Sequence, residues 1–273
     1  MLLKKIERKI SFILKRILEF PLQTLSDKID IEHASDFRIP KNIYQTWENN
    51  LFGKTHYKEL IKFRNLNRNF NFYFFDKKKR DQYMKEFWGQ NTIYNVYLNA
   101  RYGQLKADIF RYCILYERGG FYFDISKGCQ VCLDELYNED IEAVISNEPI
   151  ECIIPPDQSI FSELKYPWNN FLQWGIGFKK NHTLLKMIIE AISNDYKYYI
   201  NKKFHKPKIA LLSLSGTGQF TKIVRDYFKI YGFDKVEQAG IYFNNQGIFS
   251  MKGSRVRHYL VKEYADITDD HVL

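Results

Sequence analysis

The chain has 273 residues, of which 45% are hydrophobic and 17% aromatic, so it can bury a sizeable core within one globular domain. Its four cysteines (Cys113, Cys129, Cys132 and Cys152) follow no secretory signal and form no regular framework, which reads as reduced thiols in a cytoplasmic protein. A formal net charge of +9 suggests an anionic partner, but no zinc finger, RNP motif or basic stripe interleaved with aromatics is present, which argues against nucleic acid.

Much of that charge lies at the start. Residues 1–20 carry Lys4, Lys5, Arg8, Lys9, Lys15 and Arg16 against Glu7 and Glu19, six minus two, which is +4. At about 100° per residue, Leu2, Leu3, Ile6, Ile10, Ile13, Leu14 and Ile17 fall on one side of a helix and the cations on the other. Lys15 and Arg16 interrupt the apolar part, so the segment is not a span. Two placements fit: an in-plane helix on an anionic membrane, which would put the protein on the cytoplasmic face, or a helix packed on the domain or another subunit. Pro21 ends the helix, and 22–37 reads as a polar connector, giving a basic helix and connector over 1–37 and a globular domain over 38–273.

Residues 39–47 read as a first buried strand with a polar and aromatic tip, Gln45-Thr46-Trp47. Trp47 is either core or a flat face for stacking a base, an interaction worth roughly 1–3 kcal/mol. A helix over 56–67, a strand over 71–75, a helix from Asp76 through Phe87 and another over 93–102 follow. The stretch KADIFRYCILYERGGFYFDIS, residues 106–126, then changes period. Ile109, Tyr112, Cys113 and Tyr116 recur at helical steps, with Asp108 and Arg111 one turn apart on another face. Arg118 and Gly119-Gly120 suit the end of a helix, and Phe121-Tyr122-Phe123 a strand that delivers Asp124 at its carboxyl end. Alone, Asp-x-x-Arg on a helix is a salt bridge worth a few tenths of a kcal/mol.

Cys129-x-x-Cys132 has no second Cys/His pair at a suitable spacing, so it reads as two buried side chains rather than zinc ligands. Strands over 142–147 and 173–179 follow, then His182 as a helix-start residue before a helix over 183–199. Ser215-Gly216-Thr217-Gly218 leads into a helix over 220–231; it is either a plain turn or a Gly-rich helix start with amides free for an anion or hydroxyls. Strands alternating with helices predict an α/β, Rossmann-like sheet flanked by helices, with ligands outside the carboxyl ends of the strands. Trp47 and Asp124 would both lie there.

The run Ala107, Asp108, Arg111, Tyr112, Leu115, Tyr116, Gly119, Gly120, Tyr122 and Asp124 resembles, without a gap, the signature of the DxD sugar-transferring enzymes of glycosyltransferase family 32. That family includes yeast Golgi mannosyltransferases, clostridial toxin domains and bacterial capsule and lipopolysaccharide enzymes. The resemblance implies a glycosyltransferase A-type fold and retaining transfer from a nucleotide-sugar donor to a saccharide or lipid-linked acceptor. By the same resemblance Asp108 and Arg111 would grip sugar hydroxyls, and Asp124 would meet ribose or sugar and a divalent Mn²⁺ or Mg²⁺. Gln45, Thr46, Trp47, Tyr122, Gly216 and Thr217 would face the donor. His258, flanked by Arg255 and Arg257, is the candidate that returns over the diphosphate. Ser126 stands where the family has its second Asp, which leaves three arrangements: a weak metal site of Asp124, Ser126 and His258; metal-free catalysis by Arg255, Arg257 or a lysine; or a catalytically impaired protein that serves as a membrane-docked binding partner.

Overall fold

A computed structural model describes residues 18–31, 37–259, 261 and 267–273. The basic helix expected over 1–20 lies almost wholly outside the described residues. Among the described residues no helix is long and apolar enough to cross a membrane.

The core is a mixed sheet in the order β1-β3-β2-β4-β8-β6-β10, with β7 paired to β6. Here β1 is Lys28–Ile29, β2 Asn42–Thr46, β3 Asn71–Phe75 and β4 Gly120–Phe123, while β5, Gly128–Cys129, lies outside the sheet. Further along, β6 is Ala143–Glu151, β7 Asn169–Phe171, β8 Gly175–Phe178 and β10 Val236–Ile241, with β9, Lys203–Phe204, again outside. β2 runs parallel to both β3 and β4, β8 is antiparallel to β4 and β6, and β10 is parallel to β6. The carboxyl ends of β2, β3, β4, β6 and β10 therefore share one edge, and the switch point lies between β2 and β4.

Period-two alternation separates the two faces. Ile43, Phe72, Phe74, Phe121, Phe123 and Val144 pack with Leu60 and Phe63 of α1, Lys54–Leu66. Tyr44, Tyr122, Ala143, Ile145, Ile176 and Phe178 pack on the other face against helices. These include α4, Gly103–Arg118, α5, Thr183–Asp195, and α7, Thr217–Tyr231. Between them in the chain come α2, Lys77–Trp88, α3, Thr92–Asn99, and α6, Pro207–Leu214. The layers are helix, sheet and helix, as the alternation of elements implied.

Four local outcomes bear on the site. The expected connector carries an edge strand: β1 pairs antiparallel with β3, and Leu25 is buried in the core. Just before the connector, Glu19 caps α1, whose N-cap is a glycine: its Oε2 accepts from the Thr55 amide at 2.8 Å. At the end of α4, Gly119 has φ 65 and ψ 179, a combination open to glycine, and a Cβ there would stand 2.6 Å from the Lys180 backbone nitrogen. That tight exit turns the helix into β4 within two residues. Finally, α7 starts at Thr217, three residues earlier than the sequence suggested, because α6 packs against the preceding turn.

Candidate active site

At the shared carboxyl edge lies a cleft of about 920 Å³. Thr46, Trp47 and Glu48 line one side, and Tyr122, Asp124, Ser126 and Lys127 the floor. Glu148, Gln173 and Trp174 follow, then the start of α7 through Thr217, Gly218 and Gln219, and finally Arg257 and His258. Its volume falls in the range of small-molecule sites.

The centre is Arg111. α4 is buried nearly all round from Asp108 to Leu115, so its polar stripe points into protein and not to solvent. Arg111 Nη2 lies 2.9 Å from Asp108 Oδ1 and 3.0 Å from Asp124 Oδ1, and Nη1 donates to the Gln173 carbonyl at 2.9 Å. The guanidinium also stacks 4.8 Å from the Tyr122 ring. Burial works against its charge, but Asp124 and Asp108 outweigh that and hold the guanidinium above its ordinary value. Asp124, a third exposed, lines the cleft and is also hydrogen-bonded by the Tyr122 side chain.

Asp108 sits elsewhere than the sugar-binding reading placed it. It is fully buried behind the cleft wall, with Oδ2 accepting from Ser215 Oγ at 2.8 Å and Oδ1 facing Arg111. Burial raises its carboxyl above the usual carboxylate range, and Arg111 opposes that rise. Its geometry is that of a group that positions Arg111. Tyr112 closes the same wall, donating within 2.7 Å of Gln173 Oε1 and 2.9 Å of the Ser215 carbonyl.

Three donor-binding expectations change in detail. Gln45 lies on the opposite face of β2 from Thr46, since side chains alternate, and its buried amide finds no hydrogen-bond partner among the described residues. Thr46 reaches the cleft, but its hydroxyl donates to the Phe75 carbonyl at 2.7 Å and accepts from Arg80 at 3.3 Å. Gly216 is closed off: its amide donates to Leu211 O at 3.0 Å, and a Cβ there would stand 2.6 Å from Leu212 Cα. Close approach of α6 and α7 is thus its reason, while Thr217, Gly218 and Gln219 face the cleft. Trp47, Tyr122 and Asp124 are brought together in the cleft as expected, joined by Thr217 at its far wall. His182 caps α5 by accepting from the Leu184 amide at 3.2 Å, the helix-start role read from the sequence.

His258 does line the cleft, edge-on to Trp47 at 5.5 Å. Arg255 is exposed and does not line it, whereas Arg257 stacks 4.9 Å over Trp47 and reaches within 3.5 Å of Ser126 Oγ. The donors around Asp124 fit a divalent cation poorly. One carboxylate already pairs with Arg111, the next donor is a hydroxyl, and that hydroxyl has a guanidinium on it. Among the described residues no group of three or more His, Cys, Asp or Glu is placed to hold a metal.

Glu148 and Lys127 were not singled out from the sequence. Glu148 is the first residue of β6 to leave the buried run Ala143–Asn147, much as Asp124 follows the buried β4, but Ser146 and Asn147 interrupt the apolar signal before it. Burial raises the Glu148 carboxyl, with Lys127 opposing and Asp124 adding to the rise. Burial lowers the Lys127 ammonium. Lys127 donates to the Phe249 carbonyl and lies 5.4 Å over the Trp174 ring.

Residues 27–143 match the family model described as the glycosyltransferase sugar-binding region containing a DXD motif. The initiation-specific alpha-1,6-mannosyltransferase of Candida albicans is 27% identical over 222 residues, covering 75% of this chain and 57% of that protein. Its namesake from Schizosaccharomyces pombe is 26% identical over 129 residues, 45% of this chain and 31% of that one. The chain thus spans little more than half the length of the first of these relatives. Among solved structures, a PaToxG glycosyltransferase superposes with a TM-score of 0.51 at 16% identity over 86% of this chain and 82% of that one, a likeness of fold. The chain is thus similar over residues 27–143 to a glycosyltransferase sugar-binding region and in fold to a glycosyltransferase, consistent with a glycosyltransferase A-like architecture.

Proposed function

We propose that this chain is a glycosyltransferase that moves a hexose from a nucleotide-diphosphate donor to a saccharide or lipid-linked acceptor with retention of anomeric configuration. The observation that carries the reading is the Arg111–Asp124 pair at the carboxyl end of β4, opening into the same cleft as the Trp47 face at the end of β2. A carboxylate held by a guanidinium beneath it is fixed in position and remains an acceptor for vicinal hydroxyls. Trp47 supplies the apolar face for the base, and Glu148 a second acceptor for hydroxyls across the floor.

Asp108 acts in this scheme through Arg111, holding the guanidinium that holds Asp124. The acceptor hydroxyl attacks the anomeric carbon on the face from which the phosphate departs. The departing β-phosphate oxygen keeps the electron pair of the broken bond and takes the hydroxyl proton. An apolar rim of Ile150, Ile153, Ile154, Ile209 and Phe249, with Ile153 98% exposed, favours a lipid-linked acceptor, its chain lying along the rim. With the basic segment 1–20 on an anionic membrane, the cleft would work on lipid-linked chains at the cytoplasmic face, in surface polysaccharide synthesis. Mannose is the first sugar to try, since the relatives in Candida and Schizosaccharomyces are mannosyltransferases.

The experiment is a panel of UDP- and GDP-sugars followed by donor hydrolysis and transfer. One donor should be consumed by the wild type and by no preparation of Asp124→Ala. Full hydrolysis and transfer by Asp124→Ala would end the reading. A wild type that binds a donor and never turns it over would favour the impaired, partner-binding alternative.

A further inference from the structure

The residue that breaks the expected pair of carboxylates, Ser126, and the residue that faces it, Arg257, are 131 positions apart in sequence and meet at 3.5 Å. Arg257 is held in orientation: its guanidinium stacks over Trp47, and Nη1 donates to the Ser254 carbonyl within the 3₁₀ turn Ser254–Tyr259. Lys127 lines the same cleft as Asp124, its ammonium close to the Trp174 and Phe249 rings and donating to the Phe249 carbonyl. Burial depresses the Lys127 ammonium, Asp124 and Glu148 support it, and the nearby Arg257 guanidinium adds to the depression. A divalent ion beside Ser126 would meet both cations; a diphosphate there would meet them as donors. A planar guanidinium matches two phosphate oxygens at once, and an ammonium adds a point charge.

We propose that Arg257 and Lys127 replace the divalent cation in this protein, binding the diphosphate of the donor and stabilising it as it leaves, so that the site works without a metal. This rests on the nucleotide-sugar reading above. When the bond from the anomeric carbon to the β-phosphate oxygen breaks, its electron pair stays on that oxygen beside Arg257 and Lys127. The acceptor oxygen forms the new bond, and its proton passes to the same phosphate.

The test is calorimetric titration of the full chain with UDP, GDP and their sugars, once in EDTA and once in Mn²⁺. Wild type should bind its nucleotide equally in both. Arg257→Gln should weaken binding roughly tenfold to a hundredfold, the loss of a charged hydrogen bond. Arg257→Lys should fall between, and added guanidinium should partly restore Arg257→Gln. Ser126→Asp, which sets a carboxylate against the diphosphate, should bind poorly in EDTA and recover in Mn²⁺. Thermal melting of each variant reports that it is folded. Wild-type binding that requires Mn²⁺, or an Arg257→Gln that binds as tightly as wild type, overturns the proposal and leaves the donor reading standing. No binding of any nucleotide in either buffer removes the donor reading and this inference together.

Discussion

Asp108 and Asp124 share one guanidinium but differ in surroundings, and replacing each by alanine should give different balances of lost stability and lost donor binding. Asp108→Ala leaves the buried Ser215 hydroxyl without its carboxylate acceptor and removes one of the two carboxylates on Arg111. A hydrogen bond to a charged group is worth about 1.5–3 kcal/mol, and the Ser215 hydroxyl keeps only its long 3.4 Å bond to the Leu211 carbonyl. Asp124 and the Gln173 carbonyl still compensate Arg111, so the total should sit near the low end for a broken buried pair, about 3 kcal/mol. In a chain of this size that lowers the melting temperature by roughly 6–12 °C. Asp124 is a third exposed but its partner Arg111 is buried and leans on it, so Asp124→Ala should cost about 1–3 kcal/mol while abolishing donor binding. Asp108→Asn, which keeps an oxygen toward Arg111, should recover much of both stability and affinity. Differential scanning fluorimetry and nucleotide titration on the three variants decide it. If Asp108→Ala melts with the wild type yet loses the donor as completely as Asp124→Ala, Asp108 is a ligand and the positioning argument is wrong.

Three other outcomes are expected. Burial lowers His56 and His182 to about 4, so both are neutral in the fold and the unfolded chain takes up their protons first. Stability is therefore full above pH 6.5 and falls as pH drops toward 4, by about 2.5 kcal/mol per histidine at pH 4.5. Urea unfolding at pH 7.5 and 4.5 measures this, and a His182→Gln variant that keeps the whole slope would refute the share given to that residue. Gly119→Ala should cost at least about 1–3 kcal/mol, since it forces a left-handed residue against the Lys180 backbone; an unchanged urea midpoint would contradict the geometry. Removing residues 1–17, which spares the Glu19 cap on α1, should abolish sedimentation with anionic liposomes, and undiminished binding would assign the membrane contact elsewhere.

The alternation of Phe121-Tyr122-Phe123 and Asn71–Phe75 was enough to place the strands, and the helical period before Gly119 to place α4 against the sheet. The unbroken run from Ala107 to Asp124 brought Asp108, Arg111 and Asp124 into one unit, and they do meet. Periodicity states which residues share a face. It does not state what covers that face. The Asp108 stripe reads as open until Ser215, 107 residues on, is packed over it by α6 and α7. Gln45 and Thr46 are adjacent in the chain and opposite in the sheet, so a motif could name both while the pleat admitted one. Arg257 against Ser126 is a pairing between distant segments with no local signature, because the charge balance of a cleft is a sum over elements that only folding brings within a few ångströms.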